Sequence, residues 1–129
     1  MIYWVKIFTI LSLILPGKLW AKDFDQQFAT YGPGAESCRS YTTARDRGGA
    51  VERSYIDWTI GYLSAFNLIV DDTYDILGKT DFTTVLEWLD NRCRNVPDEH
   101  FVNTVAKLTE ILYSDRHRYR PDQTSAPQR

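Results

Sequence analysis

The chain has 129 residues, with 15 Lys and Arg against 17 Asp and Glu and a formal net charge of −2. That length holds one domain and not two. The mild acidity argues against a nucleic-acid binder, which normally presents a basic face.

Met1 to Ala21 has the layout of a secretory signal peptide, domain 1–21. Lys6 supplies a basic start, Ile7 to Leu15 is apolar except for Thr9 and Ser12, Pro16-Gly17 breaks a helix, and Ala21 precedes the charged Lys22-Asp23. The apolar run is shorter than the roughly 20 residues that span a bilayer. Leu19 is bulkier than the small residue usual two places before the cut, and the alternative is a retained N-terminal anchor. Cleavage after Ala21 removes Lys6 and Lys18 and leaves 108 residues, 13 basic against 17 acidic, net −4. No other stretch is long and apolar enough to cross a membrane. The expectation is a soluble periplasmic protein with no stable membrane insertion after cleavage.

Lys22 to Gly34 reads as a lead-in. Phe24 and Phe28 are spaced for one amphipathic turn, which Tyr31-Gly-Pro-Gly34 ends. Glu36 to Arg45 reads as the first helix, with Cys38, Tyr41 and Arg45 on one face and Gly48-Gly49 as its stop. Ala50 to Val70 carries the strongest helical pattern. Tyr55, Trp58, Tyr62, Phe66 and Ile69 recur at steps of three and four, Val51 extends the stripe, and Thr59 and Leu63 broaden it. Gly61 inside this helix costs up to about 1 kcal/mol relative to Ala, which predicts a tight helix crossing near Gly61-Tyr62.

Asp71 to Lys79 is a polar connection. Thr80 or Asp81 caps a third helix carrying Phe82, Val85, Leu86, Leu89 and Cys93, and Pro97 closes it. Asp98 is the cap candidate for the last helix, marked by Phe101, Val105, Leu108 and Leu112 with Val102 and Ile111 beside them; His100 falls one turn inside it. Residues 114–129, with Arg116, Arg118, Arg120, Pro121 and Pro127, lack apolar residues to bury and read as a mobile basic tail. No stretch alternates well enough for a strand. The fold expected is all-α, a small four-helix domain over 22–113, with Trp58 and Trp88 in the core or at its edge.

Cys38 and Cys93 are the two cysteines. In an exported chain of this size two thiols most often pair. The alternatives are weaker: two cysteines with distant His100 and His117 lack zinc-finger spacing, and there is no C-x-x-C redox pair. A Cys38–Cys93 bridge joins the first helix to the third and stabilises the fold by about 4 kcal/mol on the chain-entropy model.

No catalytic motif is present: no G-x-S-x-G elbow, H-E-x-x-H, P-loop or dinucleotide fingerprint. No cofactor or metal is expected. Asp71, Asp72 and Asp75 form the densest acidic cluster, without the regular ligands and turn glycine of a calcium loop. Asp71 and Asp72 stand at the C-terminus of the long helix, where negative charge is unfavourable, so they are read either as a solvated connection or as groups placed for a partner. Asn67 is mildly unfavourable inside a helix and either caps a loop carbonyl or lines a groove. Arg45, Arg47 and Arg53, interleaved with Asp46, Glu52 and Asp57 around Gly48-Gly49, read as a salt-bridged hinge between two helices rather than an anion site.

Cys38 near the processed N-terminus, Trp58-x-x-Gly61-Tyr62, Trp88-Leu-Asp-Asn-Arg-Cys93 and the break at Pro97 form an order that resembles two groups of small exported bacterial helical proteins. One is the Rap1a/Tai immunity group, which neutralises peptidoglycan-cleaving effectors of type VI secretion. The other is the HdeA/HdeB group of periplasmic acid-stress chaperones. The resemblance covers about Ser37 to Tyr113 and carries across Cys38 and Cys93 as a disulfide, with no binding contact. The segment between the cysteines is long for an acid chaperone, and the arginine-rich tail belongs to neither pattern.

The first functional expectation is a non-enzymatic binding protein of the immunity type that occludes a periplasmic effector, through Trp58, Tyr62, Asn67, Asp71, Asp72 and Asp75. The second is an acid-activated chaperone for unfolded clients, loosened by self-repulsion once its acids are neutralised. The third is a small hydrolase using Asp57, Asp71 and Asp75, which lacks a recognisable constellation. Homodimerisation remains open.

Overall fold

The structure, a computed structural model, describes residues 27–123. The signal segment, Phe24 and the end of the tail, 124–129, lie outside the described residues. Among the described residues there are four α-helices and no strand: α1 (Cys38–Arg47), α2 (Gly49–Ile69), α3 (Phe82–Asn95) and α4 (Phe101–Leu112). Short 3-10 turns occupy Gly32–Ala35, Tyr113–Asp115 and Pro121–Gln123. No helix among them is long and apolar enough to cross a membrane.

α1 begins where Ser37 accepts a hydrogen bond on its hydroxyl from the Ser40 N–H, 3.2 Å, the usual way a helix start satisfies an orphan donor. Two more of its first donors reach across the molecule: Cys38 N–H to the Glu99 carbonyl and Arg39 N–H to the Pro97 carbonyl, both 2.8 Å. In return Phe101 N–H donates to the Glu36 carbonyl at 2.8 Å. This exchange corrects the expected start of α4. His100, not Asp98, occupies the cap position and has no side-chain cap bond. The Glu36 carbonyl does part of the cap's work, and Asp98 turns outward to Arg39, 2.8 Å away. α3 follows expectation, with the Asp81 carboxylate accepting from Thr84 N–H at 2.8 Å.

The core is aromatic at its centre. Tyr41 of α1 stacks on Phe101 of α4 with ring centroids 4.5 Å apart, and Tyr55 of α2 meets both edge-on, at 5.5 and 5.3 Å. Val85, Leu89, Val105 and Leu108 close around these rings. The Cys38–Cys93 disulfide lies fully buried beside them, joining α1 to α3 with Cα atoms 4.8 Å apart. The Thr104 hydroxyl donates to Cys38 Sγ at 3.2 Å. Trp58 and Trp88 are half-buried at the edge. Gly34 packs beneath Trp58 so closely that a Cβ there would lie 2.0 Å from the indole, and the Trp58 Nε1–H donates to the Tyr31 carbonyl at 2.9 Å.

α2 buries the expected side over its middle: Tyr55, Thr59 and Leu63 face the core, and Trp58, Tyr62 and Phe66 are half-buried. The two ends of the expected stripe, Val51 and Ile69, are exposed instead. The Thr59 hydroxyl donates to the Tyr55 carbonyl at 2.8 Å, so its burial leaves nothing unpaired. For Ile69 the reason is length. At 1.5 Å per residue α2 runs about 30 Å and α1 about 15 Å, so the C-terminal end of α2, with Ile69, extends past α1, whereas Val51 stands at a groove beside Thr43 and Arg47 of α1. The tight crossing expected at Gly61 is absent among the described residues: Gly61 is exposed and none of them approaches within 4 Å of where its Cβ would be.

The chain beyond α4 also departs from expectation. Residues 114–117, assigned to the mobile tail, pack back on the α2–α3 connection. Arg116 is only 8 % exposed. Its Nε donates to the Asp72 carbonyl and the Thr73 hydroxyl, its Nη1 to the Tyr113 carbonyl, and its guanidinium lies 3.8 Å above the Tyr113 ring. His117 pairs with Asp75 as an isolated antiparallel bridge. Gly78 makes the clasp possible. Its φ of +57° is a left-handed conformation that glycine adopts readily, and a Cβ there would lie 2.2 Å from the Asp115 carbonyl oxygen. An arginine can replace apolar residues here because its stem packs while its donors find carbonyls.

Candidate binding surface

The six residues expected to contact a partner separate into three pairs. Trp58 and Tyr62 lie one turn apart on one flank of α2, ring centroids 5.6 Å apart. Asn67 and Asp75 have structural work. The Asn67 side-chain amide oxygen, Oδ1, accepts from Ile76 N–H at 2.8 Å, so it holds a loop N–H rather than either of the expected alternatives, a loop carbonyl or a groove. Asp75 accepts from Leu77 N–H at 3.0 Å. Asp71 and Asp72 are exposed just past the end of α2.

Tyr62 belongs to a groove of about 410 Å³ between α2 and α4, whose other walls are Phe66, Ala106, Thr109, Glu110 and Tyr113. Burial pushes the Tyr62 hydroxyl above its ordinary pKa, Thr109 opposes this by hydrogen bonding, and the Glu110 charge adds to it. The tyrosine is thus held neutral as an amphipathic wall. Phe66 was legible only as part of the α2 stripe. Ala106, Thr109 and Tyr113 were not legible, because a small residue, a buried threonine and a tyrosine in the turn after α4 do not belong to the apolar spacing of that helix.

The charged region around Gly48-Gly49 is a polar cluster across three helices. Arg45 of α1 bonds Glu52 of α2, and its Nε and Nη2 bond both carboxylate oxygens of Asp90 of α3 at 2.9 Å. The Tyr41 hydroxyl donates to Asp90 at 2.7 Å, and Arg94 bonds Asp46 at 2.8 Å. Burial first, then the hydrogen bond to Asp90, raises the Tyr41 pKa far above its ordinary range. A folded-state pKa above the unfolded one means that Tyr41's contribution is complete below about pH 10 and is lost as pH rises. Tyr41→Phe is therefore expected to flatten the loss of stability above pH 10, read as thermal midpoint against pH. An unchanged alkaline slope would reject this assignment.

Asp57 sits fourteen residues before Asp71, about 20 Å along the α2 axis, beyond the roughly 5–10 Å that separates paired catalytic carboxylates. The His100 ring Nδ1 donates to the Ala35 carbonyl at 2.9 Å and fastens α4 to the lead-in. Among the described residues no three His, Cys, Asp or Glu side chains gather as a metal site. Comparison of the chain with protein-family models, with curated proteins and with solved structures finds no match.

Proposed function

We propose that this chain is a non-enzymatic exported binding protein of the immunity type, which occludes a periplasmic cell-wall-cleaving effector with the flank formed by α2 and α4. The observation that carries the reading is the uncovered groove walled by Tyr62, Phe66 and Tyr113. Aromatic side chains supply large contact area at low entropic cost and dominate interface energetics. The groove sits on a scaffold stapled by Cys38–Cys93, which reduces the ordering cost of binding.

The test is protection. Cells exporting a peptidoglycan hydrolase encoded beside this gene are expected to survive when the chain is co-exported and to lyse when it carries Phe66→Asp. The same variant should weaken hydrolase binding by about 100-fold, a hot-spot-sized loss. Lysis in the presence of the wild-type chain, or full protection by the folded variant, defeats the reading.

A specific observation also favours the acid-chaperone reading. Three ion pairs tie α1 to α3 and to the α3–α4 connection, and each depends on a carboxylate: Arg39–Asp98, Arg45–Asp90 and Arg94–Asp46. Arg94 holds the Asp46 carboxyl below its ordinary pKa, first by hydrogen bond and then by charge. A depressed folded-state pKa contributes above the unfolded value and is lost as pH falls through the folded one. Acid would release the Arg94–Asp46 tie while the disulfide held. Suppression of client aggregation at about pH 2–3, below the ordinary carboxylate range, is the measurement; no suppression removes this alternative.

A further inference from the structure

From Trp58 to Val70 the chain contains no charged residue, yet α2 is covered on one side only. Ile60, Leu68 and Ile69 are 46 %, 85 % and 74 % exposed, with exposed Gly61, Ser64 and Ala65 among them. A surface helix ordinarily turns charged residues outward, and one that is apolar all round is a buried helix. These three side chains alone expose of the order of 400 Å², as large as the patches that mark contact sites. Two such faces with the small residues between them approach the roughly 1,200 Å² at the lower end of specific interfaces.

The charges beyond the ends of this face select the occupant. Arg53 and Asp57 stand on the same outward side, about two turns and one turn before Gly61, and Asp71 and Asp72 stand just beyond the helix end. None of the four has an ion pair among the described residues. We infer that this face of α2 is the interface with a second copy of the chain, the two α2 helices crossing antiparallel at Gly61 and Ser64. That register sets Arg53 of each copy beside Asp71 and Asp72 of the other. It opposes the two helix dipoles, and it gives the Asp71 and Asp72 carboxylates, which have no ion pair among the described residues, a cation at the C-terminus of α2. The small Gly61, Ser64 and Ala65 admit close backbone approach, which gives a role to a helix-weakening glycine whose Cβ position meets nothing within 4 Å among the described residues. Asp57, Asp71 and Asp72 would be repelled by an anionic lipid surface. The groove walled by Tyr62 and Tyr113 meets this face only at its Ile69 edge, and the argument from Ile60, Gly61, Ser64 and Leu68 does not rest on the proposed function.

Sedimentation equilibrium of the purified protein tests it. The wild-type chain is expected to sediment as a dimer. Gly61→Arg is expected to raise the dissociation constant by about 100-fold or more while keeping the helical circular dichroism, since arginine is the better helix former. Arg53→Asp is expected to weaken the dimer about tenfold, and Arg53→Asp combined with Asp71→Arg and Asp72→Arg to restore it. A monomeric wild type, a dimer indifferent to Gly61→Arg, or no rescue by the charge exchange overturns the inference. So does a monomer that binds phosphatidylglycerol vesicles through this face.

Discussion

Replacing Cys38 and Cys93 together by alanine is expected to lower the free energy of unfolding by about 4 kcal/mol. The bridge closes a loop between residues 55 apart, and on the chain-entropy model a loop of that size restricts the unfolded ensemble by this amount. Both cysteines are fully buried among Tyr41, Leu89 and Phe101, so the native state adds a small loss of packing, and the Thr104 hydroxyl loses its sulfur partner. No other single tie between α1 and α3 compares. Arg94–Asp46 is an exposed ion pair and Arg45–Asp90 a bidentate one, and neither is covalent. A domain of this size has about 5–15 kcal/mol in total, so the double variant should sit close to its unfolding threshold at 37 °C. Urea denaturation of the oxidised protein and the variant measures the difference. A loss below about 1 kcal/mol would show that the aromatic core, and not the covalent link, holds α1 in place.

Phe101→Ala is expected to cost about 3–5 kcal/mol, the range for deleting a buried phenylalanine ring. Phe101 is fully buried, stacked on Tyr41, edge-on to Tyr55 and 5.8 Å from Trp58. The cavity has little means of closing, because its walls come from different helices and are fixed elsewhere. Tyr41 is held by its bond to Asp90 and Trp58 by its bond to the Tyr31 carbonyl. Phe101→Leu should cost less than about half as much, since it restores most of the volume. Phe101 and the disulfide share this core, so the two losses are not expected to add. Chemical denaturation with both variants checks the order, and equal losses for alanine and leucine would place the cost in ring geometry rather than in cavity volume.

The helices were legible where local chemistry sufficed. Asp81 before Phe82, Gly48 after Arg47 and Pro97 after Asn95 mark boundaries through capping, chain reversal and a missing N–H, none of which needs the rest of the molecule. Asp98 misled for the opposite reason: a carboxylate at a helix start is a good cap in isolation, but here the Glu36 carbonyl, sixty-five residues earlier, reaches Phe101 N–H instead. Arg116 misled in the same way. A run of arginines reads as solvated, yet this one finds the Asp72 and Tyr113 carbonyls and the Thr73 hydroxyl already turned toward it.

The candidate surface shows the same division. Tyr62 was legible as a large aromatic on a periodic helix. Its groove was not, because Ala106, Thr109 and Tyr113 gain meaning only when α4 lies beside α2. Asn67 was legible as an oddity inside α2, and the loop N–H at Ile76 supplied the explanation.

The amino-acid order alone determined that the described residues make four α-helices and that Cys38 and Cys93 have reason to join, because turn period, caps, breakers and thiol number are local or compositional properties. Only the tertiary structure decided how much of the apolar side of α2 meets the core and where it stays exposed. Periodicity states that a helix has an apolar side, but the coverage that side receives depends on the length and position of its neighbours. Here α1 and α4 are too short to cover α2 from end to end.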